Sequence, residues 1–314
     1  MNLNKLKKLS GDASFRNFYR SKNSIIVYCV KNKKSNLLYY DAINKILIKK
    51  KVIAPSLISQ HYKENYIEIE DFGDLTVFEK FKNNKTNKKN YYKKILDLLS
   101  KIKKIKIKKQ KTFLKTNFKV PNYTSKMLLD ESNLFIDWYL QKYFKGNKKQ
   151  FLEKELKKIF KKLLGNISYH KNVFVHRDFH VSNIMITKKG LGLLDSQDAV
   201  YGNIAYDLAS LIDDVRLKTN IKIKDFIFHE FLKKNKNLDY EKFKNDFEIL
   251  SVLRNLKIIG IFTRLSTRDK KNKYLKLIPY AWKLIELRTS KNPIFKDLSY
   301  FLIKNFDKKK RKLI

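Results

Sequence analysis

A single cysteine, Cys29, stands in the 314 residues, so no disulfide can close within the chain and the fold must rest on its core. Four prolines and eight glycines are too few for a collagen-like or linker-rich chain. No apolar run approaches the ~20 residues that a membrane-spanning helix needs, and no signal-like leader opens the chain. A soluble, cytoplasmic monomer with no membrane partner is the expectation. Arginine is scarce as well: nine of the 71 basic residues are Arg, set against 30 acidic residues, for a net charge of +41. Such a charge invites a nucleic-acid reading. Base and phosphate readers favour the bidentate Arg fork, however, and here Lys is spread throughout beside abundant Asn and Ile, three residues with AT-rich codons. The excess reads as lysine on solvated faces. It implies no specific nucleic-acid partner, and a polyanion-binding protein remains the alternative of another class.

The positive content is globular. Hydrophobic residues make up 43% and charged residues 32% of the chain, enough for one large or two closely packed domains. Residues 6–9, 15–20 and 24–30 read as antiparallel strands. A helix follows over 37–50, with apolar positions 38, 42, 43, 46 and 47 on one face. Residues 66–70 alternate as a strand and run into Asp71-Phe72-Gly73-Asp74, where Gly73 permits a turn and Asp74 reads as an N-cap. Residues 75–170 read as helical and lysine-rich. Helices over 206–216 and 247–265 follow, and the basic run 308–312 is expected to fray.

The chain is organised around VFVHRDFHVSNIMIT at 173–187 and GLLDSQDA at 192–199. Short apolar runs here carry polar residues on their ends. Asp178 and Asn183 stand as D-x-x-x-x-N, the spacing in which an Asp accepts a substrate hydroxyl proton and an Asn holds Mg²⁺. Asp195 supplies a second oxygen ligand for that hard cation. Phosphoryl transfer asks little more of a protein, because positioning and charge neutralisation carry the reaction. An Asp after a strand is more often a turn residue; the ordered set H-R-D-x-H-x-x-N followed by a strand ending in D-x-x-D is far harder to obtain by chance. Asp198 has two readings, a further metal contact or a substrate hydrogen bond, and Gln197 lies beside it. His176 and Arg177 read as holding the loop together.

This segment resembles the catalytic loop of the aminoglycoside phosphotransferase/choline kinase superfamily, in which His180 stands where protein kinases keep no His. GDASFR at 11–16, IEDFGD at 69–74, DSQDAVYG at 195–202, YDLASL at 206–211 and LKIIGIF at 256–262 are similar to the bacterial N-acetylmuramate/N-acetylglucosamine kinases. The resemblance implies an α+β, bilobal, protein-kinase-like fold. Its nucleotide-binding lobe would cover 1–73, ending in a hinge near Glu70, and its catalytic and substrate-binding lobe 74–314. It implies ATP and Mg²⁺ as cofactors, with Gly11, Ser14, Arg16, Glu70 and Phe72 toward the nucleotide, and a small-molecule sugar as acceptor. His180, Gln197, Asp198 and Arg254 are the substrate candidates. Amino alcohols or aminoglycosides are the alternative acceptors within the superfamily. The strand at 24–30 departs from the kinase pattern: it offers no Lys for the α and β phosphates. Arg16, Arg20, Lys31 and Lys33 are the cations nearby, and the contact is unassigned.

Overall fold

The computed structural model describes residues 6–9, 16–82, 86–169 and 172–312. Contacts divide the chain into two compact units, Met1–Asn122 with Val173–Tyr201, and Tyr123–Asn172 with Gly202–Ile314. The expected boundary at 73/74 falls inside the first of these units.

The first unit is built on a five-stranded antiparallel sheet in the order β1-β2-β3-β5-β4, made of Lys7–Leu9, Arg16–Arg20, Ser24–Cys29, Tyr66–Glu70 and Leu57–His61 respectively. Central β3 reads SIIVYC and is buried at all but one position, as a strand covered on both faces must be. Helix α1 (Ser35–Lys49) packs Leu37 and Tyr40 against Val27, Cys29, Ile67 and Ile69. Each side chain so buried contributes roughly 1.5–3 kcal/mol.

Helices α2 (Val77–Lys82) and α3 (Lys88–Lys103) follow the sheet, and a hairpin of β6 (Lys109–Lys111) and β7 (Asn117–Lys119) interrupts the stretch expected to be all helix. The Thr112 and Thr116 hydroxyls, 2.7 Å apart, close that hairpin. Asp74 is not the cap of the next helix. Thr76 accepts from the Glu79 amide at 3.0 Å, while Asp74 pairs with Arg20.

The motif strands belong to this same unit. β8 (Val173–Val175) pairs with β11 (Val200–Gly202), and β9 (Ile184–Thr187) forms a hairpin with β10 (Gly190–Leu193). Two connectors clamp the hairpin: the Leu193 amide donates to the Ile53 carbonyl and the Ile186 amide to the Leu75 carbonyl, each at 2.8 Å. Gly192 has a steric reason. A Cβ there would lie 2.8 Å from the Phe72 ring.

The second unit is helical: α4 (Ser125–Leu134), one wide turn over Phe135–Leu140, α5 (Gln141–Tyr143), α6 (Gly146–Gly165), α7 (Tyr206–Ile212), α8 (Ile221–Lys233), α9 (Tyr240–Thr267), α10 (Ile278–Thr289), α11 (Lys296–Asn305) and α12 (Lys308–Lys312). Among its described residues α9 is the longest helix, and it is buried over most of its length. It crosses the wide turn at Gly260, where a Cβ would meet the Leu134 carbonyl oxygen at 2.2 Å, so only glycine allows this close approach. The basic tail is docked, not frayed. Arg311 donates to the Phe306 carbonyl at 2.7 Å and stacks 4.9 Å from the Trp282 ring centroid, and Tyr143 donates to the Lys310 carbonyl at 2.9 Å. Among the described residues no helix is long and apolar enough to cross a membrane.

Candidate active site

Strand β8 ends at Val175, and the next eight residues alternate between anchoring and chemistry. His176, Phe179, His180 and Val181 are buried, whereas Asp178, Ser182 and Asn183 are half-buried. Burial holds the His176 imidazole below its ordinary pKa, with Asp178 opposing, so it is neutral at physiological pH. Its Nε2 lies 3.0 Å from the Leu194 carbonyl, an acceptor only, which places the ring proton on Nε2. That bond ties the loop to the strand carrying Asp195. Arg177 adds a second tie, donating to the Asp198 carbonyl at 3.2 Å. His176 and Arg177 thus hold the loop, as their sequence position suggested.

A tight turn over Val181–Asn183 folds the motif back on itself. The Asn183 side-chain nitrogen donates to the Asp178 carbonyl at 3.0 Å, and the Leu194 amide donates to the Asn183 carbonyl at 2.9 Å. The five-residue spacing is what lets Asn183 clamp the backbone of Asp178. With Nδ2 committed to the loop, Oδ1 is the atom of Asn183 left to act as an acceptor. One residue past Leu194 stands Asp195. An amide oxygen and a carboxylate are therefore presented by adjoining backbone segments, a donor set of hard oxygens that suits Mg²⁺.

Two non-glycine residues here adopt left-handed backbone, Arg177 at φ 74° and Asp195 at φ 61°. Such conformations cost about 1–3 kcal/mol and persist where the surroundings over-determine them. Both flank the chemistry. Burial pushes the Asp195 carboxyl up from its ordinary pKa; Arg16 opposes this, and the charges of Asp178 and Asp198 add to it. Arg16, on β2 and itself 5% exposed, donates from Nη2 to Asp195 Oδ1 at 2.7 Å.

The remaining candidates fall in distinct places. Gly11 and Ser14 lie outside the described residues. The Glu70 amide is committed to the Ser56 carbonyl at 2.9 Å, and the Ser56 hydroxyl donates to the Glu70 carboxylate at 3.0 Å, so Glu70 braces the end of β5. Phe72 lays its ring on Gly192, linking the 71–74 turn to β10. His180 is 2% exposed, with Nε2 3.4 Å from Asn183 Nδ2, which places it beneath the loop. Gln197 donates to Asp198 Oδ2 at 2.8 Å. Arg254 is buried in α9 of the second unit.

Two elements of the site escaped the sequence reading. Arg20 pins the turn at 71–74: it pairs with Asp71 at 2.6 Å and Asp74 at 2.7 Å and donates to the Gly73 carbonyl at 3.1 Å. Asn44 of α1 accepts from the Ser196 hydroxyl at 2.5 Å and donates to the Pro55 carbonyl at 2.9 Å. A polar residue one turn after Tyr40, among the buried apolar residues of α1, was the available signal for Asn44.

An N-acetylmuramate/N-acetylglucosamine kinase of Neisseria meningitidis is 35% identical over 167 residues, 51% of this chain and half the length of that protein. A Pseudomonas aeruginosa protein of the same name is 25% identical over 302 residues, covering 93% of this chain and 86% of the relative. Among solved structures, ADP-bound aminoglycoside phosphotransferase APH(2'')-Ib aligns with TM-score 0.60 at 14% identity, over 91% of this chain and 93% of that one. A choline/ethanolamine kinase family protein from Mesorhizobium loti aligns with TM-score 0.62 at 12% identity, over 95% and 92%. These two likenesses carry the fold, which is kinase-like. Residues 5–225 match the phosphotransferase enzyme family, and the chain belongs to that family.

Proposed function

We propose that this phosphotransferase moves the γ-phosphoryl group of ATP, with Mg²⁺, to the anomeric hydroxyl of N-acetylmuramate or N-acetylglucosamine, as in cytoplasmic recycling of cell-wall sugars. One observation carries the reaction class: Asn183 Nδ2 bonds the Asp178 carbonyl at 3.0 Å while the Leu194 amide bonds the Asn183 carbonyl at 2.9 Å. A base candidate and two metal-ligand candidates are thereby locked into one rigid unit. Asp178 would orient the acceptor hydroxyl and take its proton as the bond to phosphorus forms. Asn183 and Asp195 would hold Mg²⁺, which neutralises charge on the phosphates. Gly11, Ser14 and Arg16 are assigned to the nucleotide, and Glu70 and Phe72 to the adenine side of a hinge that separates a nucleotide lobe, 1–73, from a catalytic lobe, 74–314.

The acceptor is argued from the relatives named N-acetylmuramate/N-acetylglucosamine kinase and from the charge balance. A polycationic aminoglycoside calls for a strongly acidic pocket, because like charges repel in a cleft. This chain has 30 acidic residues against 71 basic ones, and the acids of the motif region are engaged in metal binding and bracing. N-acetylmuramate carries a lactyl carboxylate suited to a bidentate Arg, and Arg254 is the partner assigned to it. Gln197 and Asp198 are assigned to sugar hydroxyls. The test is ³¹P NMR of product made from N-acetylmuramate and ATP, which separates an anomeric phosphate from a 6-phosphate, run beside an ADP-release panel. Phosphorylation of both sugars, with Arg254→Ala impairing N-acetylmuramate more, is the expected result. Preference for kanamycin-like or choline-like acceptors over both sugars would overturn it.

A further inference from the structure

Strand β3 carries no basic residue, although protein kinases draw the lysine for their α and β phosphates from that strand. The structure sorts the four cations that could replace it. Arg20 is committed to Asp71, Asp74 and the Gly73 carbonyl. Lys31 and Lys33 lie in a short turn after β3 with exposed side chains. Arg16 alone of the four is buried, and it donates to Asp195 at 2.7 Å. In the sheet Arg16 stands opposite Cys29, the last residue of β3, so its side chain leaves the sheet beside the strand that lacks the lysine.

We infer that Arg16 is the α/β-phosphate clamp of this chain, supplied from β2 in place of a β3 lysine; the inference rests on the kinase reading above. Asp195 is a candidate ligand of the Mg²⁺ that would accompany the phosphates, so a guanidinium 2.7 Å from its carboxylate would stand beside the same phosphates. A guanidinium presents five N–H donors in a planar fork and stays charged at any working pH. It can therefore hold a carboxylate and a phosphate oxygen together, as a single ammonium does less readily. The Arg16 guanidinium carbon sits 5.9 Å from both the Phe18 and Tyr40 ring centroids, which fixes it before any ligand arrives. In protein kinases a helix Glu orients the lysine. Here the buried acid of α1 is Asp41, bonded to Lys45 at 2.8 Å, and Asp195 does the orienting instead.

The test is calorimetric binding of MgADP and of adenosine. Arg16→Gln should weaken MgADP by about 10- to 100-fold, the loss expected for a charge-assisted contact, and leave adenosine within twofold; Lys33→Gln should change neither. Unaltered MgADP affinity in Arg16→Gln, or equal losses for MgADP and adenosine, would overturn the assignment. Wild type that binds neither compound would instead overturn the kinase reading. Should Arg16→Gln fail to fold with the Asp195 carboxylate left without its ion-pair partner, metal-free ADP binding by Asp195→Asn and by Arg16→Gln/Asp195→Asn carries the same test. The single variant releases Arg16 and should bind metal-free ADP more tightly than wild type, and the double variant should lose about tenfold or more relative to it. Equal affinities in the single and double variants would refute the clamp.

Discussion

Asn44 on helix α1 accepts the Ser196 hydroxyl at 2.5 Å, which ties a helix packed on the five-stranded sheet to the residue directly after Asp195. Both partners are buried. The position of Asp195 therefore depends on α1 as well as on its own strand, and its left-handed backbone is held from outside the loop.

Asn44→Ala should for that reason act at a distance. Leaving the buried Ser196 hydroxyl and the Pro55 carbonyl without Asn44 costs about 1–3 kcal/mol, visible as a lower melting temperature. The Mg²⁺ concentration for half-maximal rate should rise at the same time, because Asp195 is less well fixed. A stability loss of this size with an unchanged Mg²⁺ requirement would show that the bond only packs the helix.

Asp178→Asn tests the base. Removing a general base typically costs ~10²–10⁴-fold in rate, and ATP affinity should stay nearly the same because the Asn183 clamp uses the backbone carbonyl of residue 178, which the substitution keeps. Near-wild-type turnover in a folded variant would remove Asp178 from the mechanism.

Asn183→Ala and Asp195→Ala should both raise the Mg²⁺ requirement. The second should be worse, since it deletes a charge opposing the cation as well as an oxygen. Mg²⁺ titrations that overlay wild type for both variants would place the metal elsewhere.

The parts of the site that the sequence disclosed are those whose partners are close in the chain. Asp178 and Asn183 sit on one loop, so their spacing alone signals the clamp. Arg20 and Asp71 are 51 positions apart and Asn44 and Ser196 are 152 apart; no local pattern announces either pair. The same divide holds for the fold. β2, β3 and β5 alternate or run apolar and were legible within one or two residues. β4 was not, because an edge strand need not hide its side chains, and Ile58 there is 55% exposed. The β6–β7 hairpin, KQK facing NFK, offers Phe118 alone as a strand-forming residue. The tail misled for the opposite reason: its lysines and Arg311 looked solvated, but backbone carbonyls and the Trp282 face receive Arg311.

Acid stability should trace to Asp213. Its side chain is fully buried in the second unit, paired with Lys224 at 2.9 Å and Arg288 at 2.8 Å and bonded by the Ser251 hydroxyl at 2.6 Å. Burial alone would push its pKa up, but Lys224 and Arg288, with the hydrogen bonds from Arg288 and Ser251, hold it well below the usual carboxylate range. A depressed folded-state pKa means that the unfolded chain takes up a proton first as pH falls. The stabilisation is thus complete above the unfolded value of about 3.9 and is lost as pH drops below it, toward the folded pKa. Asp213→Asn leaves two cations buried without their counter-charge, so it should cost about 3–5 kcal/mol at neutral pH. The gap between wild type and variant should narrow below about pH 4, where unfolding of the wild type alone takes up the Asp213 proton. Denaturant titrations from neutral pH down to about pH 3 measure that gap directly. A gap that stays constant with pH would assign the loss to packing at residue 213 and not to its charge.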